Sequence, residues 1–462
     1  MKQITLLILA CFCMIACRQQ PQPTTIIDVE HYDLPQMKDS GELVVLTLNS
    51  SISYFDYRGE PMGFQYELAK QFAQSLGLKL KIKTGKNTKD LVYMLQQGEG
   101  DLIAYPLPMT KKLKDSVAFC GEDIITHQVL VQRNSNKKSK ALTDVTELIG
   151  KDIYVKPGKY LNRLKNLNKE LGGGILIHEV NNDSISIEDL IMQVSTGTID
   201  YTICDNDLAR LNKTYYTNLN ISLPVSFDQR ASWAVRKTSP LLAEAANEWH
   251  DKNMTSPAYK ASTKRYFENS KRLPHGPILS IKDGKISHFD HLFKKYASEI
   301  GWDWRVIASL AYNESNFDTT AVSWVGAKGL MQLMPRTARA MGVPEGKEQN
   351  AEESVKAATK YLALLGKSFS KVTDPDEKIK FILASYNAGI GHVYDAMNLA
   401  EKYGKDRYVW KDNVETYILL KSHEEYFNDP VCKNGYFRGR ETYNFVKDIL
   451  GRAEMYMEKI KD

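Results

Sequence analysis

Glu314 is the residue whose position in the sequence most clearly indicates chemistry. Trp304, Ile307 and Ala311 recur at helical spacing, and Glu314 is the next residue on the same apolar face. Asn316 and two later glycines then favour an end to the helix. Burial and the negative end of the helix dipole both oppose ionisation, so this carboxyl is expected to have a raised pKa and to suit a general acid. An exposed glutamate at a frayed helix end, or one member of an ion pair, would fit the same pattern.

Three motifs in a fixed order begin at this glutamate. The first, at 314–338, contains ESNF, AVS, GAKGLMQLMP and TA; ASYNAGIG at 384–391 and GYFRGRETYNFV at 435–446 follow. Over about residues 286–455 they resemble the soluble lytic transglycosylase family, which has a goose-lysozyme-like fold. The resemblance implies an all-α, lysozyme-like domain that acts on peptidoglycan.

The resemblance also implies a mechanism. In this family a single glutamate, here Glu314, protonates the glycosidic oxygen between N-acetylmuramic acid and N-acetylglucosamine, and the acetamido group replaces a second carboxylate. The glutamate then takes the proton of the C6 hydroxyl, and the muramyl residue closes into a 1,6-anhydro sugar without consuming water. The expected enzyme is therefore a lyase without cofactor or metal. A lysozyme-type hydrolase, and a sensor whose helical domain only holds glycan, are the alternatives.

Five further motif residues are expected to bind the glycan. Gln332 and Asn387 carry donors and acceptors that suit hydroxyl and acetamido groups, and Gly329 permits a tight loop. Met331 and Tyr386 offer apolar surface for sugar rings, although Met331 would also fit a plain core position. The expected substrate-binding residues are Ser323, Met331, Gln332, Tyr386 and Asn387.

The third motif departs from the family pattern at Phe445. The family usually has Tyr-Val there, with the tyrosine hydroxyl contacting the catalytic glutamate, and Phe445-Val446 lacks that hydroxyl. Glu441 lies near the start of the same expected helix, where the dipole favours a structural carboxylate. Both residues are candidates for tuning Glu314 and not for replacing it.

The elements expected to position these motifs are helices. Beyond residue 286 the apolar residues follow helical periods without a convincing strand. One apolar stripe consists of Phe289, Leu292, Phe293, Tyr296 and Ile300. The segment Pro274-His275-Gly276-Pro277 is typical of a linker. We therefore expect a helical domain at 286–462 and a linker at 271–285.

The preceding region alternates between strands and helices, an order that predicts an α/β fold with parallel strands. The first series has expected strands at 42–48, 78–82 and 101–105, with helices at 67–76 and 90–97. A second series, with strands near 152–155, 175–179 and 201–204, follows a basic stretch at 134–140. The region 41–270 is therefore expected to form two lobes with a crossover between them.

Two segments of this region, GFQYELA at 63–69 and GEGDLIA at 98–104, resemble the periplasmic solute-binding proteins of family 3. Such proteins close two lobes over a ligand, here expected to be a small polar molecule, peptide or muropeptide that modulates the enzyme. Leu113 replaces the family's ligand-clamping arginine, and neighbouring Lys112 cannot reproduce a guanidinium fork. Asp205 lies where the family often places an amine-binding carboxylate, although a solvated loop aspartate fits equally. Lys112 and Asp205 are the candidate ligand residues.

The first 17 residues are typical of an export signal. Lys2 precedes an apolar stretch at 4–16 that is shorter than a membrane span. Met14-Ile15-Ala16-Cys17 resembles a bacterial lipobox, so Cys17 is expected to be lipidated and 18–40 to form a tether; an ordinary cleaved signal is the alternative. Arg18 stands where, in similar lipoproteins, an aspartate causes retention at the inner membrane. We therefore expect an outer-membrane lipoprotein facing the periplasm.

Length and composition exclude several other classes. The 462 residues suffice for two or three domains, and 43% hydrophobic and 25% charged residues exclude wholesale disorder. The net charge of +5 is small for this length, so nucleic acid is not an expected partner. Cys120, Cys204 and Cys432 remain after the signal, widely spaced and without a Cys/His cluster, so a zinc site is not expected.

Overall fold

The computed structural model describes residues 31–135, 140–182, 185–269 and 284–460. The expected signal peptide, Cys17 and most of the expected tether lie outside these residues, as does nearly all of the expected linker. The described part begins with a helix at Leu34–Ser40 (α1), which Asp33 caps.

Within the described residues before 270, twelve strands and nine helices alternate. The strands are Glu42–Leu48 (β1), Phe55–Tyr57 (β2), Glu60–Met62 (β3), Lys79–Gly85 (β4), Leu102–Pro108 (β5), Ala118–Thr126 (β6), Gln128–Arg133 (β7), Asp152–Val155 (β8), Leu176–Glu179 (β9), Tyr201–Asp205 (β10), Leu219–Pro224 (β11) and Gln229–Val235 (β12). The helices after α1 are Phe64–Ser75 (α2), Thr88–Gln96 (α3), Lys111–Ser116 (α4), Lys159–Glu170 (α5), Ile187–Thr196 (α6), Asn206–Tyr215 (α7), Pro240–Asn253 (α8) and Pro257–Phe267 (α9).

The strands form two five-stranded sheets, one in each lobe, and a separate hairpin of β2 and β3. In the first sheet, ordered β4-β1-β5-β12-β6, β1 is parallel to β4 and β5, whereas β12 runs antiparallel to β5 and β6. The second sheet has the order β11-β7-β10-β8-β9, with β10 parallel to β8 and antiparallel to β7. The prediction of a two-lobed α/β fold is confirmed, but both sheets are mixed because β12 and β7 run against their neighbours.

The crossover between the lobes lies earlier than the sequence indicated. The basic stretch at 134–140 was expected to separate the two series, yet β7 precedes it and already belongs to the second sheet. The chain passes from β6 to β7 at His127 and returns between β11 and β12. Because β6 and β7 follow each other almost without interruption, no turn signal marks the change of lobe.

The region from 284 to 460 is helical. Its helices are Asp290–Glu299 (α10), Trp304–Ser315 (α11), Pro335–Ala340 (α12), Ala351–Ser368 (α13), Pro375–Ala388 (α14), Ile390–Lys402 (α15), Glu415–Leu420 (α16), Glu424–Phe427 (α17) and Gly439–Lys459 (α18). Within these residues, β pairing is limited to isolated bridges from Lys328 to Val322 and Leu333. The predicted apolar stripe packs into one core with α11, α14 and α18. No helix in the described ranges has the length and apolar character needed to cross a bilayer.

The helical domain packs directly against the first lobe. Tyr436 belongs to the apolar core of that lobe, and Trp324 packs against the same core. The Trp324 ring lies 6.3 Å from that of Tyr57 and 5.7 Å from that of Tyr266, measured between centroids. The hairpin of β2 and β3 is therefore in contact with the glycine-rich motif of the helical domain.

Candidate active site

Glu314 lies in the last turn of α11, as the apolar spacing predicted. Asp303 caps the start of this helix, and Asn316 ends it in the left-handed conformation with a φ of 51°. The Glu314 side chain is only 6% exposed. Ser315 Oγ donates to the main-chain carbonyl of Leu330 at 2.8 Å and so ties the helix end to the following loop.

The electrostatics of Glu314 are set by burial and by one arginine. Burial raises the pKa of the Glu314 carboxyl, and the charge and hydrogen bonds of Arg58 lower it in part. Arg58 Nη2 lies 2.9 Å from Oε1 and 3.2 Å from Oε2. Burial is the largest single influence on Arg58 and disfavours its charged form, but Glu314, Tyr57 and Tyr386 together outweigh it and raise the pKa of Arg58. The departure of Arg58 would therefore leave Glu314 more readily protonated.

A cavity of about 400 Å³ adjoins Glu314. Tyr57 and Arg58 of the first lobe and Tyr215 of the second lobe form part of its wall, and the helical domain forms the rest. Of the residues predicted from the sequence, the cavity brings together Glu314, Ser323, Gln332, Asn387, Glu441 and Phe445. Residues that are far apart in the chain are thus assembled around the expected general acid.

The loop after α11 brings Ser323 to the cavity. The Ser323 N–H donates to the carbonyl of Ala327 at 2.8 Å, and Ser323 Oγ accepts from the Ala327 N–H at 2.9 Å. Gly329 has a φ of 75°, and a Cβ there would lie 2.3 Å from the carbonyl oxygen of Glu348. Both the conformation and the close approach require glycine.

Two amide side chains that line the cavity are each held by local hydrogen bonds. Gln332 Nε2 donates to the carbonyl oxygens of Ala321 at 3.0 Å and Gly329 at 2.8 Å, which uses both of its N–H groups. Asn387, in the last turn of α14, accepts at Oδ1 from the hydroxyl of Thr442 at 2.5 Å. Sequence reasoning identified both amides but not Thr442, because a threonine inside a helical pattern carries no distinctive signal.

Met331 and Tyr386, which were expected to offer surface to sugar rings, lie in the core of the helical domain. They are 0% and 2% exposed, and the Tyr386 hydroxyl donates to the main-chain carbonyl of Met331 at 2.7 Å. For Met331 this is the core position that the sequence left open. Phe445 is buried at the cavity wall, so this wall lacks the family's usual hydroxyl.

Arg58 extends into the cavity and was not expected from the sequence. Arg58 and Gly59 form the turn between β2 and β3, both with positive φ, at 54° and 77°. A left-handed backbone is unfavourable for arginine. The guanidinium contacts Glu314 and also donates to the carbonyl oxygens of Gln332 at 2.8 Å and Asn387 at 3.2 Å. The sequence analysis did not predict this hairpin, and its partner Glu314 lies 256 residues away in the chain.

The second motif holds this hairpin through close backbone contacts. The Arg58 N–H donates to the Ala388 carbonyl at 3.3 Å. A Cβ on Gly389 would lie 3.3 Å from Arg58 Cα, so a larger residue would crowd the turn. His392 Nε2 lies 3.1 Å from the carbonyl oxygen of Asp56. The motif ASYNAGIG therefore binds the first lobe in addition to lining the cavity.

The third motif contacts both lobes through Glu188, near the start of α6. Glu188 accepts from the hydroxyl of Tyr436 at 2.6 Å and from Ser51 of the first lobe at 2.7 Å, and it lies 3.5 Å from Arg438. Arg438 continues to Glu441 at 2.8 Å. Burial raises the pKa of Glu441, and Arg438 lowers it in part. Polar contacts thus run from the interface between the lobes to the cavity.

The two ligand candidates of the α/β region lie on different lobes. Lys112 is exposed on α4 of the first lobe. Asp205, at the end of β10 in the second lobe, pairs with Lys159 and accepts from the hydroxyl of Tyr160 at 3.0 Å. Burial, followed by the charge of Asp205, raises the pKa of Asp207 to about 6. Asp205 is therefore a partnered, half-buried carboxylate.

Two family models match the chain. "Bacterial extracellular solute-binding proteins, family 3" matches residues 43–269, and "Transglycosylase SLT domain" matches residues 291–409. Among solved structures, an ancestral cationic amino acid solute-binding protein covers 51% of this chain and 99% of its own, at 20% identity and a TM-score of 0.44. A polar amino acid transporter substrate-binding protein from Streptococcus thermophilus covers 52% and 92%, at 17% identity and a TM-score of 0.43.

The class of protein follows from the two family models together with the fold and the site: a solute-binding α/β region joined to a lytic transglycosylase domain. "Membrane-bound lytic murein transglycosylase F" of Desulfosudis oleivorans is 33% identical over 428 residues, which cover 92% of this chain and 92% of the relative. The protein of the same name from Pseudomonas fluorescens strain Pf0-1 is 30% identical over 423 residues, covering 90% and 85%. The chain belongs to the membrane-bound lytic murein transglycosylase F family.

Proposed function

We propose that this protein is a peptidoglycan lytic transglycosylase that cleaves the β-1,4 bond between N-acetylmuramic acid and N-acetylglucosamine and leaves 1,6-anhydro ends. The observation that carries the proposal is the buried Glu314 beside a cavity that all three motifs line. Membership of the family supports the reaction class and peptidoglycan as the substrate. Glycan strands are therefore the main partner.

In this proposal, Glu314 acts twice. It first donates its proton to the glycosidic oxygen as the bond to C1 breaks, and burial supports this step because it keeps the carboxyl pKa raised. The acetamido group of the muramyl residue assists at C1. Glu314 then accepts the proton of the C6 hydroxyl as the C6 oxygen bonds to C1, so the products together contain no added water.

The decisive experiment digests purified sacculi and identifies the sugar ends by mass spectrometry. Wild type should release anhydromuropeptides, and Glu314→Gln, which keeps the size but cannot transfer the proton, should lose about 10²–10⁴-fold in rate or more. Glu348→Gln, a change at a glutamate in the same domain outside the cavity lining, is a matched control that should stay active. Substantial anhydro product from Glu314→Gln would refute the assignment.

A lysozyme-type hydrolase is the second candidate. It is favoured by Glu441 and Asp448, two further carboxylates that line the same cavity and could activate a water molecule. Glu441 is engaged by Arg438, which argues against that role. Reducing ends in the wild-type digest would favour the hydrolase and exclude the lyase.

We further propose that the α/β region controls access to Glu314. Arg58 occupies the cavity and pairs with the carboxyl that must donate the proton, so a glycan strand and the hairpin compete for the same space. Glu188 of the second lobe contacts Ser51 of the first lobe and Tyr436 of the third motif. A movement of the lobes would therefore shift the third motif, which lines the cavity. Removal of the hairpin from the cavity is the step that exposes the general acid.

The controlling ligand is a small polar molecule, peptide or muropeptide held between the lobes, with Lys112 and Asp205 as candidate contacts. Leu113 in place of arginine argues against a simple amino acid. Thermal-shift screening of the full chain should find muropeptides or peptides more stabilising than free amino acids, and Asp205→Asn should reduce the shift. A strong shift with glutamate or arginine would contradict this specificity.

The proposed organisation is a lipoprotein signal at 1–17, a tether at 18–40, the solute-binding-like domain at 41–270, a linker at 271–285 and the transglycosylase domain at 286–462. The names of the relatives support attachment to a membrane. Cys17 is the proposed lipid-bearing residue. Arg18 after it favours the outer membrane, with the protein facing the periplasm.

A further inference from the structure

Gln332 and Asn387 line the same cavity, but their side-chain amides use opposite ends in hydrogen bonds to the protein. Gln332 uses both N–H groups on main-chain carbonyls, and among the described residues its buried Oε1 has no hydrogen-bond partner. Asn387 is the reverse case, because its Oδ1 accepts from the hydroxyl of Thr442. A buried acceptor without a partner is costly, so Gln332 Oε1 is suited to a donor supplied by a ligand.

An acetamido group carries one N–H donor and one carbonyl acceptor. We propose that Thr442 is a positioning residue for the acetamido group of the glycan. By holding Asn387 Oδ1, it leaves Nδ2 to donate to the acetamido carbonyl, while Gln332 Oε1 accepts the acetamido N–H. The inference rests on the proposed function, since it presumes that a glycan strand occupies the cavity.

The surroundings of Thr442 support a fixed amide orientation. Thr442 is fully buried on α18, and its 2.5 Å contact spans from that helix to the end of α14. A hydroxyl has only one hydrogen to donate, so donation to Asn387 determines which end of the amide faces Thr442. Arg58 binds the main-chain carbonyls of Gln332 and Asn387. The guanidinium therefore lies beside the two residues whose amides would hold the acetamido group, in the same cavity.

The test is a double-mutant cycle in the full chain, with Arg58→Ser as the parent so that the guanidinium does not fill the cavity. The probe is the tetramer of N-acetylglucosamine, and binding is measured by titration calorimetry, which needs no turnover. Thr442→Val keeps the shape but removes the hydroxyl, and Asn387→Asp keeps the acceptor but removes the donor. Each change should weaken binding about three- to tenfold, the range expected for one hydrogen bond.

Two further comparisons separate positioning from a general structural effect. Thr442→Val combined with Asn387→Asp should be no weaker than Asn387→Asp alone, because Thr442 acts through that amide. Thr442→Ser, which retains the hydroxyl, should bind within about twofold of the parent, a difference smaller than one typical hydrogen bond. If Thr442→Val does not fold, Thr442→Ala takes its place in the cycle.

The inference is overturned if the losses of affinity caused by Thr442→Val and Asn387→Asp multiply in the double variant. It is also overturned if Thr442→Val binds the tetramer like the parent, or if Thr442→Ser binds it as weakly as Thr442→Val. The sacculus digest is read separately. Absence of anhydro product from wild type would refute the proposed function, whereas the calorimetric cycle tests the amide geometry by itself.

Discussion

Arg58 pairs with Glu314 and opposes the effect of burial on its pKa. Its guanidinium makes contacts with the carboxylate and with two main-chain carbonyls, all in a buried setting. A carboxylate in such a pair is stabilised in its ionised form, which cannot donate a proton. The residue is therefore both a steric and an electrostatic obstacle to the proposed reaction.

We predict that Arg58→Ser raises the rate of anhydromuropeptide release at least about tenfold. The substitution removes contacts that hold the hairpin in the cavity, and a loss of about 1.4 kcal/mol from these contacts is enough for a tenfold change. The measurement is the initial rate of sacculus digestion by the full chain. Arg230→Ser, at an exposed arginine of the same lobe, is the matched control and should leave the rate unchanged. Millimolar guanidinium should slow the Arg58→Ser variant by refilling the site. An unchanged or lower rate in Arg58→Ser would contradict the role of the hairpin.

We predict that the same substitution shifts the pH profile upward. The charge and hydrogen bonds of Arg58 lower the pKa of Glu314, whereas burial raises it, so the loss of Arg58 leaves only the raising contribution. A higher pKa keeps the acid protonated to higher pH, and the alkaline limb of the rate profile should move to higher pH. The rates of wild type and variant measured between about pH 5 and 9 check this prediction. This range surrounds the neutral pH at which general acids work. A downward shift would contradict it.

At the scale of elements, α11 and the β2–β3 hairpin show what the sequence could and could not predict. The apolar spacing from Trp304 to Glu314 is local, and the helix, its end and its buried carboxyl were predicted. The hairpin has strands of three residues each and no long apolar run. Its position depends on contacts with a distant motif, which no local pattern encodes.

The predicted strands show the same division. The pattern located β1, β4, β5, β8, β9 and β10 within a few residues, because each has an apolar run or an alternating pattern. The antiparallel neighbours β7 and β12 were missed, since their direction is decided by how the chain returns between lobes. For the site, the motif residues came from resemblance, but Arg58 and Thr442 required the tertiary structure.

We predict that His392 makes α15 and its neighbours sensitive to acid. Burial first, and then the charge of Lys421, lower the pKa of His392 to about 3, against opposing effects of Asp395 and Asp56. The unfolded chain, with an ordinary pKa near 6.5, binds the proton more readily. The stabilisation is therefore complete above about pH 6.5 and is lost as pH falls toward 3; it should be reduced by about 2 kcal/mol at pH 5.

Denaturant unfolding of wild type and His392→Gln at pH 7.5 and pH 5 measures this effect. The variant should lose less unfolding free energy on acidification than wild type does. His291→Gln, at an exposed histidine of the same domain, is the control and should behave like wild type. Equal pH dependence in wild type and His392→Gln would contradict the prediction.

At the scale of the whole molecule, the proposed lipid on Cys17 determines where the cavity can meet its substrate. A cysteine with two or three acyl chains is a stable anchor. We predict that Cys17→Ser moves the protein from the membrane pellet to the soluble periplasmic fraction, as judged by immunoblotting of fractionated cells. Cys432→Ser, at a half-buried cysteine of the helical domain, is the control. Retention of Cys17→Ser in the pellet at the wild-type level would contradict the anchor.

Under the proposed control of access, the ion pair between Arg58 and Glu314 would couple the binding of the small ligand to the binding of the glycan. If the ligand between the lobes favours withdrawal of the hairpin, and a glycan strand requires it, each ligand must increase the affinity for the other by the same factor. Peptidoglycan would then be an effector of the solute-binding region as well as a substrate. Such a protein would retain its small ligand most tightly where uncut strands are abundant and release it as they are consumed.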